Sequence, residues 1–264
     1  MNIIDFHTHA FPDALAERAM TVLAKMANVQ PVLDGTVAAL VRSMDTAGIE
    51  RSVVASIATR PKQFASILDW SKQIASDRIV PFLSVHPADP EAVARVRQVR
   101  DEGFKGIKLH PYYQEFDADE EWVFPVYQAI ADCGLALLLH TGYDIGYPRF
   151  KRCDPARIRT VFDTFPDLKL VTSHFGAWDD WDAVEEHLLG KPIYMDPSHS
   201  IEFMGVERAR SFLMAHPQDY LVFGTDSPWD DQGESVDVLR AMALGSEREA
   251  ALLGGNAKRL LETC

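Results

Sequence analysis

The stretch IIDFHTH at residues 3–9 is a short, mostly apolar run that ends in two histidines. A run of this length predicts a buried strand when turn or helix signals bound it. Seven further runs share its character: Ser52–Ile57, Ile79–Val85, Gly106–His110, Ala136–His140, Lys169–Ser173, Ile193–Met195 and Leu221–Phe223. The sequence therefore predicts eight short strands.

Helical patterns lie between these strands. Residues 37–44 place apolar side chains at the i, i+3, i+4, i+7 spacing of a helix, and Gly48 then supplies a stop. Residues 90–102 and 118–133 are each followed directly by a glycine, which is typical of a helix end. Eight strands alternating with helices predict an α/β fold, the (β/α)8 TIM barrel, as a single domain over residues 1–264.

A doubly wound open sheet is the alternative arrangement. Its first strand is usually followed by a glycine-rich phosphate loop, whereas residues 7–12 of this chain read HTHAFP. The barrel is therefore favoured. One predicted connection is long, residues 141–154 after the fifth strand, and long loops in compact domains are often lids or binding loops.

The overall composition narrows the choice of partners. With a formal net charge of −13, the chain repels phosphate backbones, so we expect no nucleic-acid partner. The longest purely apolar run, Leu135–Leu139, is far too short to span a membrane. Three cysteines without a CxxC pair, and no signal-peptide pattern, indicate a cytoplasmic protein. The sequence is compatible with a homo-oligomer.

The histidines collect at one kind of position. Nine are present, and six of them lie at or just past the carboxyl end of a predicted strand: His7, His9, His86, His110, His140 and His174. A barrel builds its active site from these strand ends. The distribution therefore predicts a histidine-rich site at the mouth of the barrel.

Histidines and one carboxylate in this set suit a metal ion. His7 and His9 are two apart on one strand, so both side chains point to the same face and can chelate zinc or a similar metal. His140, His174 and Asp226 lie at or just past the carboxyl ends of predicted strands five, six and eight. Three or four imidazoles and one carboxylate suit a catalytic divalent metal with an open coordination position.

Six stretches carry a resemblance to a known family. They read DFHTH at 5–9, GIKLHP at 106–111, HTG at 140–142, SHFG at 173–176, GTDSP at 224–228 and GNAKRL at 255–260. The sequence resembles the amidohydrolase superfamily, and within it the amidohydrolase-related (amidohydrolase 2) branch of metal-dependent TIM-barrel hydrolases and non-oxidative decarboxylases. The resemblance implies that His7, His9, His140 and Asp226 hold the metal and that His174 lies beside it.

Roles for the acid and base follow from a bound metal. Asp226 is expected to take a proton from a metal-activated water and return it to the leaving group. His174 either ligates a second metal or acts unligated as an acid, base or electrostatic partner. Zinc is the default metal for such a site, and manganese fits the carboxylate equally well. We expect one principal site, with a second site open.

A further group of residues is expected to shape the substrate pocket. Lys108 and His110 share a face of the fourth strand. Related two-metal enzymes carry a carboxylated lysine at the position of Lys108, whereas the interpretation preferred here is an unmodified pocket residue. Tyr112 and Arg149 are the other predicted substrate-binding residues, since arginine suits carboxylate recognition. Outside this pocket, Asp196 and Ser198 are expected to orient a ligand histidine.

Three functions remain open at this point. The first is a metal-dependent hydrolase of a small amide, lactone or ester. The second is a decarboxylase of a small aromatic or unsaturated carboxylic acid at the same metal. An anionic substrate is compatible with the acidic chain because a bound metal cation makes the electrostatic potential in the site positive. The third is a non-catalytic barrel that binds a ligand, which the complete ligand set disfavours.

Overall fold

Seven parallel strands form most of a barrel wall. The computed structural model describes residues 2–264. Its strands are β1 Ile3–Thr8, β2 Ile49–Ala55, β3 Ile79–Phe82, β4 Gly106–Leu109, β5 Ala136–Leu139, β6 Lys169–Thr172 and β7 Tyr194–Met195. They pair in the order β1-β2-β3 and β4-β5-β6-β7. Every strand pair is parallel, as expected when each connection carries a helix.

Hydrogen bonds beyond the regular ladders join the two groups of strands. The Leu83 amide donates to the Gly106 carbonyl over 3.1 Å, and the Lys108 amide donates to the Leu83 carbonyl over 2.7 Å. Leu83 follows β3 directly and Lys108 lies in β4. The wall is therefore continuous from β1 to β7.

The eighth position closes the barrel. The Val222 amide donates to the Met195 carbonyl over 3.1 Å, and the Phe6 amide donates to the Phe223 carbonyl over 2.7 Å. The predicted strand Leu221–Phe223 thus lies between β7 and β1, although it makes a single bridge to β7 instead of a full ladder. The predicted (β/α)8 barrel is confirmed.

Helices cover the outside of the barrel. They are α1 Asp13–Ala27, α2 Val37–Ala47, α3 Phe64–Ile74, α4 Ala92–Asp101, α5 Phe124–Asp132, α6 Pro155–Thr164, α7 Trp181–His187, α8 Ile201–Met204, α9 Val206–Ala215, α10 Gln232–Ala241, α11 Ser246–Ala250 and α12 Asn256–Glu262. Among residues 2–264 we find no helix that combines the length and the apolar character needed to cross a membrane.

Helix ends follow local chemistry. The Thr36 hydroxyl accepts the Ala39 amide at the start of α2, and Gly48 ends that helix in a left-handed conformation, as predicted. The predicted helix at residues 118–133 begins only at Phe124. Pro125 lacks an amide hydrogen and fits only the first turn of a helix, so the helix cannot extend far to its amino-terminal side.

The inside of the barrel is filled at one end and open at the other. Side chains such as Phe6, Phe82 and Leu138 fill the interior and pack against Leu260 and Leu261 of α12. The backbone at the end of α12 also accepts hydrogen bonds from lysines that lie at or just before the amino-terminal ends of β4 and β6. The amino-terminal end is therefore closed, and the carboxyl ends of the strands are left for the site.

Candidate metal centre

A cavity of about 620 Å3 opens at the carboxyl ends of the strands. Eight of its lining residues carry a titratable side chain at or near a strand end: His7, His9, Lys108, His110, His140, His174, His199 and Asp226. The predicted clustering of histidines at the mouth is therefore observed. His86 also follows a strand but does not line this cavity.

Two histidines and one carboxylate converge at the base of the cavity. His9 Nε2 lies 3.1 Å from Asp226 Oδ1, and His7 Nε2 lies 3.4 Å from the same oxygen. The three side chains can each offer one ligand atom, all within 4.8 Å of one another. We call this set the first triad. Its donor set, two imidazoles and a carboxylate, could hold a divalent metal.

The rings of the first triad are held by their other nitrogen. His9 Nδ1 donates to the Ala55 carbonyl over 2.8 Å, and His7 Nδ1 lies 3.0 Å from both Asp196 Oδ2 and Ser198 Oγ. A carbonyl or carboxylate can only accept, so the proton lies on Nδ1 and the lone pair of Nε2 faces Asp226. The sequence predicted Asp196 and Ser198 as groups that orient a ligand histidine, whereas it did not predict the Ala55 carbonyl contact.

The carboxylate of Asp226 lies beside His7 and His9 because the backbone at residue 226 adopts a left-handed conformation. Its amide donates to the His7 carbonyl over 2.8 Å, and its φ is +63°. Next to it, Thr225 donates from its hydroxyl and its amide to the buried Asp5 carboxylate. A non-glycine residue in the left-handed region costs about 1–3 kcal/mol. Burial raises the pKa of Asp5 to about 7, and the two hydrogen bonds that Asp5 accepts from Thr225 hold the turn.

His140 belongs to a second group of possible ligands. The rings of His110 and His140 stack with centroids 4.0 Å apart, and Asp144 Oδ2 lies 3.3 Å from His110 Nε2 and 3.8 Å from His140 Nε2. One ligand atom from each lies within 4.8 Å of the others, and we call these three residues the second triad. His174 Nε2 is 3.2 Å from His140 Nδ1. His140, expected beside His7, His9 and Asp226, is therefore grouped with other partners.

Asp144 was not predicted from the sequence. It lies in the long loop at residues 141–154, which the sequence marked only as a possible binding loop. The second residue of the loop is Gly142, whose φ is +87° and where an added Cβ would meet the Trp178 amide nitrogen at 2.0 Å. The Tyr143 amide then donates to the Trp178 carbonyl over 3.0 Å. Close backbone contact at a glycine thus fixes where Asp144 enters the cavity.

Lys108 lies against the first triad. Its side chain is fully buried, and its Nζ is 3.0 Å from His7 Nε2. Burial lowers the pKa of Lys108 to about 8, although Asp226 and Asp196 partly offset the shift. The lone pair of His7 Nε2 therefore has two possible partners, the lysine amine and a metal ion.

Burial keeps most of the cavity histidines neutral. It lowers the pKa of His174 to about 4 and holds the pKa of His110 and His140 well below 6.5. Burial opposes ionisation of Asp226, but positive charge on the adjacent His7 and His9 imidazoles, when they are protonated, outweighs burial and holds the pKa of Asp226 well below the usual range. Neutral imidazoles and an ionised carboxylate are the protonation states that bind metal.

Two predicted substrate-binding residues lie outside the cavity. The Tyr112 hydroxyl donates its hydrogen to the Phe150 carbonyl over 2.6 Å and also lies 3.1 Å from the Gly142 carbonyl, so it holds the long loop. The Arg149 guanidinium lies 3.9 Å from the ring centroid of Tyr143 and pairs with Asp179 on the surface. Neither residue lines the cavity, whereas the predicted Lys108 and His110 do.

Asp196 offers a test of how the first triad is held. Replacing it with asparagine exchanges an acceptor for a group that can present a donor to His7 Nδ1, which disturbs the tautomer. We expect Asp196→Asn to weaken metal affinity by about 10–100-fold, the usual loss when the partner of a ligand histidine is changed. Manganese titration followed by calorimetry measures it. Asp230→Asn, which alters the His199 contact on the rim, is the matched control, and equal affinity in both variants would contradict the assignment.

Comparison with known proteins agrees with this geometry. The sequence profile of the amidohydrolase family matches residues 4–263, so the chain belongs to the amidohydrolase family and is an enzyme. The family predicted from the motifs is confirmed. Among curated relatives, a dihydroorotase of Marinomonas sp. is 25% identical over 185 residues, which cover 64% of this chain and 52% of the relative. The chain spans about half the length of the curated relatives it matches first.

Solved structures share the fold over the whole chain. An uncharacterised TIM-barrel protein from Bordetella bronchiseptica aligns with a TM-score of 0.77 and 23% identity, covering 100% of this chain and 99% of its own. A 5-carboxyvanillate decarboxylase from Novosphingobium aromaticivorans, complexed with manganese and a nitrobenzoic acid, aligns with a TM-score of 0.73 and 16% identity. It covers 99% of this chain and 96% of its own. At these identities the likeness concerns the fold.

Proposed function

We propose that the chain is a metal-dependent hydrolase of a small-molecule amide, lactone or ester, acting through a metal-activated water. The observation that carries this proposal is the first triad, in which His7 Nε2 and His9 Nε2 face Asp226 Oδ1 at the base of the cavity. Catalytic zinc sites commonly use three protein ligands and leave a position for water or substrate. The donor set and the ring orientations fit such an ion.

The ligand set that we propose extends beyond the first triad. His140 and His174 are included because each lines the same cavity and their rings lie 5.0 Å apart. His174 Nδ1 donates to the Ser198 carbonyl over 2.9 Å, so its Nε2 carries a lone pair and no proton. With this tautomer, His174 Nε2 can bind a metal or accept a proton, but it cannot donate a hydrogen bond. We propose one principal site for zinc or manganese, with Lys108 as an unmodified pocket residue.

Asp226 moves the proton in the proposed reaction. A bound divalent metal would supply Lewis acidity and lower the pKa of a water to about 7. Asp226 is ionised at the base of the cavity, so it can accept a proton from the attacking water. It then returns that proton to the leaving nitrogen or oxygen. His110 and Lys108 line the wall and can contact a substrate carbonyl or carboxylate.

A decarboxylase is the second candidate. The fold neighbour from Novosphingobium aromaticivorans carries that activity in its name and was complexed with manganese and an aromatic acid. On this reading the carbon–carboxylate bond of an aromatic or unsaturated acid breaks, carbon dioxide leaves, and a proton is delivered to the remaining carbon. The same ligand residues would serve, and the buried amine of Lys108 suits an anionic substrate.

One paired assay separates the candidates. The manganese- or zinc-loaded protein is tested with a panel of lactones and esters by proton release, with amides by release of the amine, and with aromatic and unsaturated acids by carbon dioxide release. We expect turnover in the first panel. Carbon dioxide release alone would replace the hydrolase with a decarboxylase. If neither panel is turned over and the purified protein retains no metal, the chain would instead be a barrel that binds a ligand without catalysis.

The cellular location and the binding partners of the enzyme are also proposals. The three cysteines, Cys133, Cys153 and Cys264, are free thiols in the described residues 2–264. Free thiols are typical of reducing compartments, which supports a cytoplasmic location. We propose a small-molecule substrate and no nucleic-acid partner, because the net charge of −13 disfavours the latter.

A further inference from the structure

The outer half of the cavity differs chemically from its base. Above the histidines it is walled by α1 and α3, which contribute Leu15, Val22, Leu23, Ile67 and Trp70. All five side chains are apolar or aromatic. The cavity therefore continues from a polar base into an apolar outer section that we call the apolar vestibule.

Charge is nearly absent from the apolar vestibule. In the described part of the chain, the charged lining residues lie in or beside the two triads, except for Arg18 on the exposed side of α1 and His199, which pairs with Asp230. Aromatic rings from the other side, Tyr143, Trp178 and Trp229, add to the lining, which also includes the uncharged polar side chains of Thr59, Gln63 and Ser66. A compact polar substrate would leave this surface in contact with water.

The apolar vestibule also carries an energetic cost. Leu15 and Val22 are 53% and 49% exposed, although burial of such apolar side chains away from water is favourable. Exposed apolar surface that is continuous with a binding cavity marks a ligand site more often than a random surface does. The cost is recovered if a bound molecule covers these side chains.

We propose that the substrate carries an apolar extension, an alkyl chain or aryl group, which lies in the vestibule against α1 and α3 while its reactive carbonyl or carboxylate lies at the first triad. This inference rests on the proposed function for the placement of the reactive end. The cavity volume of about 620 Å3 lies within the range of about 300–1,000 Å3 typical of pockets for drug-sized ligands. It has room for a reactive group and a tail together.

Straight-chain carboxylates test the vestibule without requiring turnover. Butanoate, hexanoate, octanoate and decanoate share one head group and differ only in tail length. With the manganese-loaded protein, calorimetry is expected to give an affinity that rises by about fourfold for each methylene buried, until the chain fills the vestibule. An affinity that does not change with chain length would overturn the proposal.

A matched pair of variants locates the tail. Val22 lines the vestibule from α1, whereas Val206 begins α9 outside it, and the two are exposed to 49% and 48%. Both positions tolerate asparagine because neither side chain is in the core. We expect Val22→Asn to lower decanoate affinity several-fold and leave butanoate unchanged, and Val206→Asn to change neither. Equal behaviour of the two variants would place the tail elsewhere.

Repeating the series on metal-stripped protein separates the two proposals. If the metal assignment is wrong and the vestibule is right, stripping leaves all four affinities unchanged and the dependence on chain length persists. If the vestibule is wrong and the metal assignment is right, stripping weakens all four acids equally and no dependence on chain length is seen in either state.

Discussion

Asp226→Asn is expected to lower kcat/KM for the turned-over substrate by about 10²- to 10⁴-fold, the usual contribution of a positioned general acid–base group. The asparagine amide cannot take a proton from water at the place where Asp226 Oδ1 faces His7 and His9, 3.4 and 3.1 Å away. Hydrolysis needs that proton transfer from water, whereas decarboxylation needs a proton delivered to the substrate carbon, so a loss of this size is expected for the hydrolase. Steady-state kinetics on the first substrate found in the paired assay measures it.

The design of this experiment separates catalysis from folding and metal loss. Asp163→Asn is the control, because Asp163 lies on the exposed surface of α6 in an ion pair with Arg159, where such pairs contribute little. Metal content and circular dichroism are measured on both variants. Near wild-type activity in Asp226→Asn would remove Asp226 from the reaction. A variant that also loses its metal would assign Asp226 to metal binding first.

Metal removal is expected to have the second large effect. Dialysis against a strong chelator should abolish turnover, and manganese or zinc should restore it. The first triad is already assembled in the folded chain, with His7 and His9 held by their Nδ1 contacts, so the metal binds the native state in preference to the unfolded one. At a metal concentration 1,000 times Kd, the free energy of unfolding rises by about 4 kcal/mol. Urea unfolding with and without metal measures the difference.

A histidine pair provides the matched control for metal removal. His9→Ala removes one proposed ligand and is expected to abolish the metal-dependent stabilisation. His187→Ala removes a partly exposed histidine of α7 that lies away from the cavity, and it should retain the full effect. Stabilisation by metal in His9→Ala equal to that in the wild type would contradict the proposed site.

The same preparation decides the state of Lys108. One equivalent of metal and an unmodified chain mass agree with the single principal site. Two equivalents, together with a carbon dioxide adduct that is lost in acid, would show a carboxylated lysine bridging two ions. The position of Lys108 Nζ, 3.0 Å from His7 Nε2, is compatible with either state, since a buried amine with a lowered pKa is neutral more often than a surface lysine.

Local periodicity was sufficient to predict which ligand-type residues lie near the carboxyl ends of strands, although several predicted strands, such as Ile79–Val85, extend past the observed end at Phe82. His7 and His9 share a face because side chains alternate along β1, and His174 and Asp226 come two or three residues after apolar runs whose ends must meet at one edge of a parallel barrel. Their common location in one cavity could therefore be predicted without a structure. The eighth strand, Leu221–Phe223, was predicted on the same basis and lies in its place.

Contacts between distant parts of the chain could be decided only by the tertiary structure. The His7–Asp196 hydrogen bond joins residues 189 positions apart, and no local pattern specifies its length or which nitrogen it engages. Asp144 enters the cavity because a glycine allows two backbones to touch, while Arg149 of the same loop turns to the surface. The sequence by itself determined which strand ends carry ligand-type residues, because that depends on alternation along each strand. The tertiary structure decided which of them meet and how their rings are held, because that depends on packing between segments far apart in the chain.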